Sequence, residues 1–254
     1  MPLDSSSPLP ILLADAGESV SGGDSVELAQ LVAQAQGQSA AAGEAIGQVS
    51  AVEGSVTITH PDGSKVTATT GTPIFQGDLV ETKDTGAVGL TFADESTFSL
   101  ADNGAMVIDQ LVYDPGSQKG SSAISVATGV FTFVSGQIAK TDVDAMTIKT
   151  PIATIGIRGT AGGGKAGAEG TANTFSMFTD PRGGGVGEMT IKTQGGSVVL
   201  NQPLQTTQMS SSFVPPIKPI VLPASVAQQF YSKATTMAPT KPVIGPSAPA
   251  AGPT

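Results

Sequence analysis

The chain has no cysteine and no tryptophan, and aromatic residues make up only 4% of its 254 residues. The absence of cysteine excludes disulfide bonds and thiolate metal sites, although it leaves secretion open. Basic residues are also scarce, since 12 Lys and Arg stand against 21 Asp and Glu and give a net charge of −9. A surface of this kind argues against binding nucleic acid or an anionic membrane through basic patches.

Signals for targeting or membrane insertion are missing as well. The first basic residue is Lys65, so no positively charged region precedes an apolar stretch as it does in a secretory signal peptide. No run of about 18 apolar residues occurs anywhere, which argues against a transmembrane helix. We therefore expect that any export uses a route without a cleaved N-terminal signal, or that the sequence is a fragment of a longer protein.

Composition divides the chain into three regions. Residues 1–45 carry many acidic and no basic residues and are predicted to form a mostly disordered leader. One short helix is a candidate at 24–36, where it would either fray alone or dock a partner. Residues 46–210 are predicted to form one all-β domain, because apolar residues alternate between frequent turns. Residues 211–254 are rich in Pro and Ala and predict an extended tail with a candidate short helix at 225–234.

No long helical pattern interrupts the middle region, so we predict a mainly antiparallel β-sandwich or barrel-like domain. The turn HPDGS at 60–64 is expected to be a type I′ hairpin turn at Asp62 and Gly63. The candidate strands are 47–52, 55–59, 64–69, 78–82, 87–93, 97–100, 105–113, 123–134, 145–150, 152–157, 173–178, 188–193, 197–201 and 205–209.

The segment AMTIKTPIATIGIRGT at 145–160 is the most informative stretch. It reads as two strands separated by Pro151, which cannot donate a hydrogen bond within a sheet. The segment is expected to form either the central seam of the domain or its functional site. The pentapeptide MTIKT at 146–150 recurs at 189–193, which indicates either a structural repeat or chance in a β-rich composition.

Two glycine-rich stretches are predicted to be flexible loops, namely 161–171 and 182–187. The sequence GTAGGGKA at 159–166 has the spacing of a phosphate-binding loop. However, Ala166 stands where such a loop needs Ser or Thr, and no helix-forming sequence follows. We therefore reject a nucleotide site here.

Arg158, between Gly156 and Gly159, is the one charge in the apolar part of this segment at 150–160. A buried Arg must be paired, so we expect an internal clamp onto a carboxylate or onto turn carbonyls. The alternative is that Arg158 recognises the carboxylate or backbone of a partner. The first role predicts that Arg158→Lys lowers the melting temperature, because Lys lacks the planar guanidinium fork.

The remaining polar residues predict no enzyme, cofactor or metal site. His60 is the only histidine, so a histidine-based triad or a His/Cys zinc site cannot be built, and a turn role is expected. Asp142 and Asp144 could hold calcium, but they provide few oxygens and lack the EF-hand pattern. The scattered carboxylates are expected to be solvated turn residues.

Five motifs in order resemble the FecR-type domain family over about residues 46–160: GQVSAVEGSVTIT, GTPIFQGDLVET, AVGLTFADESTFSL, GVFTFVSG and TPIATIGIRGT. The resemblance implies an extracytoplasmic all-β domain. It also makes Gly77, Asp78, Thr150, Pro151 and Thr160 the fold-signature residues. In the family's hairpin, Glu95 replaces a Gly. Because Glu is poor at positive φ, we predict a turn other than type I′ there, with no positive φ at Glu95.

The resemblance leaves two functional hypotheses, both with a protein partner and without nucleic acid. The first is a non-catalytic interaction module of a secreted or cell-surface protein, favoured by the acidic, signal-less leader. The second is a periplasmic sensing and signal-transduction module whose membrane partner is a separate chain, as in the regulators that name the family. A weaker third is a carbohydrate-binding sandwich, for which aromatic residues are few.

Overall fold

The computed structural model describes residues 43–141, 144–183 and 186–242. Residues 1–42 of the leader, with its candidate helix at 24–36, and Asp142 of the candidate calcium pair lie outside these residues. The strands are β1 Gly47–Glu53, β2 Val56–Thr59, β3 Lys65–Thr67, β4 Pro73–Ile74, β5 Leu79–Thr82, β6 Ala87–Phe92, β7 Thr97–Leu100, β8 Ala105–Asp114, β9 Lys119–Val134, β10 Met146–Lys149, β11 Thr154–Arg158, β12 Ala161–Ala166, β13 Asn173–Phe178, β14 Glu188–Lys192, β15 Ser197–Leu200, β16 Gln205–Met209 and β17 Ile220–Val221. A 3-10 turn spans Ile138–Lys140, and one α-helix, α1, spans Ala224–Met237.

The strands form two sheets that share the long strand β9. The first sheet has the order β4-β1-β6-β7-β9-β12-β13-β16-β17. The second has the order β3-β2-β5-β8-β9-β10-β11-β14-β15. Every one of these pairings is antiparallel except β9–β10. The prediction of a mainly antiparallel all-β domain is confirmed, and the sheet is not closed into a barrel.

The main core lies between the two sheets and follows from the alternation in the strands. Phe131 and Phe133 of β9 are buried there, and the ring of Phe131 stacks on Phe98 with centroids 5.3 Å apart. Strand β9 passes from one sheet to the other near Gly129, whose φ of 111° few other residues adopt. The same strand therefore contributes side chains to both layers.

Strand β12 corrects the prediction of a flexible loop at 161–171. Residues 161–166 form a central strand between β9 and β13. A Cβ on Gly162 would lie 2.5 Å from Met189 Cε, and one on Gly164 would lie 2.6 Å from the ring of Phe175. The glycines leave room for large side chains of the paired strand β13 and of β14 in the second sheet. The run is thus ordered by packing that its own sequence does not reveal.

Helix α1 covers the outer face of the first sheet. Its buried residues are Ala227, Tyr231 and Ala234, and Tyr231 packs edge-on against Phe178 with ring centroids 5.1 Å apart. Beneath the helix runs a cross-strand row of small residues, namely Gly89, Ser99, Thr132, Gly163, Ser176 and Thr206. The row lets the helix approach the sheet closely, and Tyr231 Oη donates to Ser176 Oγ at 3.0 Å. Helix α1 is longer than the candidate at 225–234 and belongs to the packed structure.

The two acidic hairpin turns share one geometry. In each, the residue after the Asp alone has positive φ, 84° at Gly63 and 66° at Glu95. The type I′ prediction for Asp62 and Gly63 is therefore wrong, because that turn needs two positive φ angles. The turn at Asp94 and Glu95 is likewise not type I′, as predicted, but the expectation that Glu95 lacks positive φ is wrong. Its φ is fixed because Asp94 accepts from the Ser96 amide, as Asp62 does from Ser64.

The repeated MTIKT pentapeptide has a structural meaning. Its copies form most of β10 and β14, which flank β11 on either side. Met146 and Met189 both lie opposite Ile157, and the second isoleucine pair, Ile148 and Ile191, lies opposite Ile155. The repeat therefore places the same side chains on both sides of one buried strand.

Candidate partner-binding site

Arg158 lies at the end of β11 with its side chain exposed, so the expected buried clamp is not formed. It lines an open groove together with Ala139, Lys140, Gly159, Val186, Gly187, Glu188 and Asn201. Glu188 stands opposite Arg158 in the β11–β14 ladder. Among the described residues, however, no ion pair involves the guanidinium of Arg158 or the ammonium of Lys140. The groove therefore presents two free cations and one carboxylate.

The glycines on either side of Arg158 have different surroundings. A Cβ on Gly156 would lie 2.5 Å from Asp144 Oδ1, so this exposed carboxylate covers the bare backbone. Gly159 has positive φ, 52°, with open space around it, and its amide donates to Ala139 O at 3.1 Å. Gly159 thus turns the chain at the groove and leaves its floor accessible.

The internal clamp that the sequence assigns to Arg158 is made by Arg182. Its guanidinium donates to the carbonyls of Glu95 and Ser135 and to Asp180 Oδ1, the last at 3.1 Å. The Asp180 side chain is only 2% exposed. Arg182 begins a run predicted as a loop, whose Gly184 and Gly185 lie outside the described residues. The only sequence signal was the DPR triplet at 180–182, which places an acidic residue two positions before the arginine and is too common to assign the role.

The signature residues Gly77 and Asp78 hold the β4–β5 turn against its neighbours. The fully buried Asp78 carboxylate accepts from the Phe75 amide at 2.8 Å and contacts His60 Nδ1 at 2.7 Å. Gly77 has positive φ, 86°, and a Cβ there would lie 2.8 Å from Pro61 Cγ. His60 therefore does more than begin a turn, since it pairs with the buried aspartate, a contact that no sequence pattern indicated.

The signature residues Thr150, Pro151 and Thr160 lie around β11. Thr150 Oγ1 accepts from the Ala153 amide at 3.1 Å, which closes the tight turn that has the exposed Pro151 at its second position. Thr160 is fully buried, and its amide donates to Ser135 Oγ at 2.9 Å. These contacts fix both ends of the strand that carries Arg158.

Within the described ranges, no helix is long and apolar enough to cross a membrane. In the same ranges, no group of three or more His, Cys, Asp or Glu side chains is placed to hold a metal ion.

The family model described as FecR protein matches residues 78–178, from the buried Asp78 to the end of β13. This chain contains a FecR domain. The match begins later than the stretch of the sequence motifs and, because it includes β12 and β13, it also ends later. The FecR domain thus comprises the shared strand β9 and its neighbours, including Arg158 at the end of β11, and the match supports a signal-transduction module.

Three solved structures are similar in part. A cell surface anchoring domain is 32% identical, covers 25% of this chain and 83% of its own, and has a TM-score of 0.24. Two crystal structures of a candidate anti-sigma factor from Parabacteroides distasonis are 13% and 12% identical, with TM-scores of 0.42 and 0.43. Each covers 59% of this chain, which in turn spans 64% and 63% of theirs. No curated protein matches the chain.

Proposed function

We propose that this protein is a FecR-type sensing and signal-transduction module that works in the periplasm by binding a separate, membrane-bound protein partner. The FecR match over residues 78–178 is the observation that carries this proposal. The proposal assigns no catalytic step. It assigns the protein the role of a signal relay, in which binding at one surface of the protein changes the activity of a partner bound at another surface.

The groove around Arg158 is the surface that we propose for this partner. Both cations are exposed to solvent, so leaving them unpaired in the free protein costs little stability. Their value in a complex comes from a guanidinium that can hold a carboxylate through two parallel hydrogen bonds. Arg158 and Lys140 therefore fit an acidic segment of the partner, with Glu188 setting the register by repelling a misplaced carboxylate.

Co-purification tests this role. The tagged chain is recovered from the periplasmic and membrane fractions of its natural host, with the double variant Arg158→Glu and Lys140→Glu beside it. We expect the wild type to retain a membrane protein that the double variant loses. Lys83→Glu, an exposed charge reversal in the β5–β6 turn, is the matched control and should retain the partner. Equal retention by all three proteins would contradict the groove as the binding surface.

The second candidate is an interaction module of a secreted or cell-surface protein. The acidic composition of the leader, with no basic residue before Lys65, favours it. Location separates the two candidates. Recovery from the culture medium or the intact cell surface favours the second, whereas recovery after osmotic shock favours the first.

A further inference from the structure

The two sheets have four outer edges, and three of them carry features that block pairing with another chain. Strand β3 is three residues long and begins with Lys65. Strand β4 begins with Pro73. Strand β17 has two residues and lies between Pro219 and Pro223. Short length, lysine and proline are the usual protections of sheet edges, because an open edge pairs with any extended chain.

The fourth edge, β15, lacks these protections. It has four residues, Ser197 to Leu200, with no charge and no proline. Ser197 is exposed, and Val199 is 43% exposed. The Thr193 amide donates to Gly196 O in the turn before the strand. Because bonded and non-bonded pairs alternate in an antiparallel ladder, the amides of Ser197 and Val199 then point away from β14.

We propose that β15 is a strand-addition site for an extended acidic segment of a partner protein. The idea rests on the proposed function, since it adds a second element to the surface that meets the partner. Main-chain hydrogen bonds to Ser197 and Val199 would supply affinity, and the side chains on either face would supply selectivity. The free edge ends at Asn201, which also lines the Arg158 groove.

The side-chain rows of the second sheet define the partner's chemistry. One solvent-facing row runs through Lys149, Thr154, Lys192 and Ser197. Both lysines are exposed, and neither forms an ion pair among the described residues. A residue added beside Ser197 would be about 10 Å from the Lys192 backbone, which is two strand spacings and within reach of its long side chain. This position favours Asp or Glu.

The next positions favour apolar residues. Val199 lies in the adjacent solvent-facing row, where a β-branched neighbour would cover its exposed surface. Val198 and Leu200 face the other way, towards the core, so inward residues of the added strand must be apolar. A segment that alternates apolar and acidic residues satisfies both faces. A second copy of this chain or its own leader would be a different occupant, which the test separates.

The probe is a capped eight-residue peptide that alternates valine with glutamate, and binding is measured with the whole chain. Val199→Pro removes one outward amide without a bond to β14, and we expect it to weaken binding roughly tenfold or more. Val199→Ala keeps the amide and is the matched control, for which we expect a change of about threefold or less. The same peptide with lysine in place of glutamate should bind more weakly, and this difference should shrink in high salt.

Amide exchange locates the site independently of any variant's folding. Bound peptide should slow exchange at Ser197 and Val199, and a peptide with alternate amides methylated on the binding side should not. The proposal is overturned by equal binding of the Val199→Pro variant, by protection at another edge, or by no binding of the wild type. It is also overturned if a second copy of the chain occupies the edge, which would be observed as a dimer. Occupation by the leader would overturn it as well, and would be observed as peptide binding only after residues 1–42 are removed. Retention of a membrane partner in co-purification would still support the proposed function in each case.

Discussion

Replacing Gly163 by alanine tests the packing of helix α1 on the glycine-rich strand β12. A Cβ at this position would lie 2.8 Å from Phe131 O and 2.9 Å from Tyr231 Cε1. The first atom belongs to the backbone of the shared strand β9 and cannot move freely. The second belongs to a fully buried ring. The methyl group must therefore push the helix outward or distort the sheet.

The magnitude follows from opposing effects. Overpacking a core typically costs about 1–3 kcal/mol of the free energy of unfolding. Displacing Tyr231 also strains its hydrogen bond to Ser176, which contributes about 1 kcal/mol. Against this, replacing Gly by Ala in a strand gains about 0.5–1 kcal/mol through backbone entropy. We expect a net loss of about 2 kcal/mol, or roughly 4–8 °C in the melting temperature of a chain of this size.

Gly156→Ala is the matched control, because it lies in a neighbouring strand of the second sheet and faces only the exposed Asp144 carboxylate. The side chain of Asp144 can swing away, so the entropy gain should dominate and leave stability unchanged or slightly raised. Urea unfolding of both variants measures the difference. Equal stability of Gly163→Ala and wild type, with an unchanged Tyr231 environment, would refute the close seating of the helix.

Three further predictions concern single side chains. Burial raises the pKa of Tyr231, so the folded state favours the neutral phenol. Below about pH 10 the free energy of unfolding does not depend on this group. Above about pH 10 it falls by about 1.4 kcal/mol per pH unit, because the phenol ionises in the unfolded chain only. Tyr231→Phe should cost about 1 kcal/mol at pH 7 but show a shallower alkaline loss in unfolding experiments, and parallel curves would contradict this. Glu95→Gly should raise the free energy of unfolding by about 0.5 kcal/mol, because it relieves the positive φ at the cost of one exposed hydrogen bond to Gln137; a clear loss in urea unfolding would show that this bond matters more. Arg182→Lys should lower the free energy of unfolding by about 1–2 kcal/mol, since Lys cannot bridge two carbonyls and Asp180. Arg158→Lys should change it by about 0.5 kcal/mol or less. A larger loss of melting temperature for Arg158→Lys than for Arg182→Lys would show that Arg158 is the internal clamp.

The alternation of apolar and polar residues predicted most of the strands, because a half-buried strand has one apolar and one polar face. Strands such as β7 and β13 have the bounds expected from their sequences. Strand β12 could not be predicted in this way, since glycine has no side chain that could mark an apolar or a polar face and its β-propensity is low. Its order comes from Phe175 on the next strand and from Phe131 and Tyr231, which are far away in the chain. A run of glycines that is not followed by a helix-forming sequence is therefore as consistent with a strand covered by large side chains as with a loop.

The candidate site was predicted less well, for a related reason. The apolar neighbours of Arg158 suggested burial, but a strand end can carry a charge into solvent while its centre stays buried. The clamp went instead to Arg182, whose partners Glu95, Ser135 and Asp180 come from separate elements. Positive φ at Glu95 was missed for a different reason. A short-range hydrogen bond from the Ser96 amide to the Asp94 carboxylate holds this turn, as the Ser64 amide does with Asp62, and it outweighs the unfavourable φ of Glu.

Thiol labelling is the most direct test of the proposed periplasmic location of this FecR-domain protein. The chain has no cysteine, so Thr85→Cys in the exposed β5–β6 turn introduces a unique thiol. A membrane-impermeant maleimide is applied to intact cells of the natural host, to cells with a permeabilised outer membrane, and to lysed cells. We expect labelling once the outer membrane is permeabilised and while the inner membrane is intact. Labelling of untreated cells would favour the cell-surface alternative, and labelling only after lysis would contradict both.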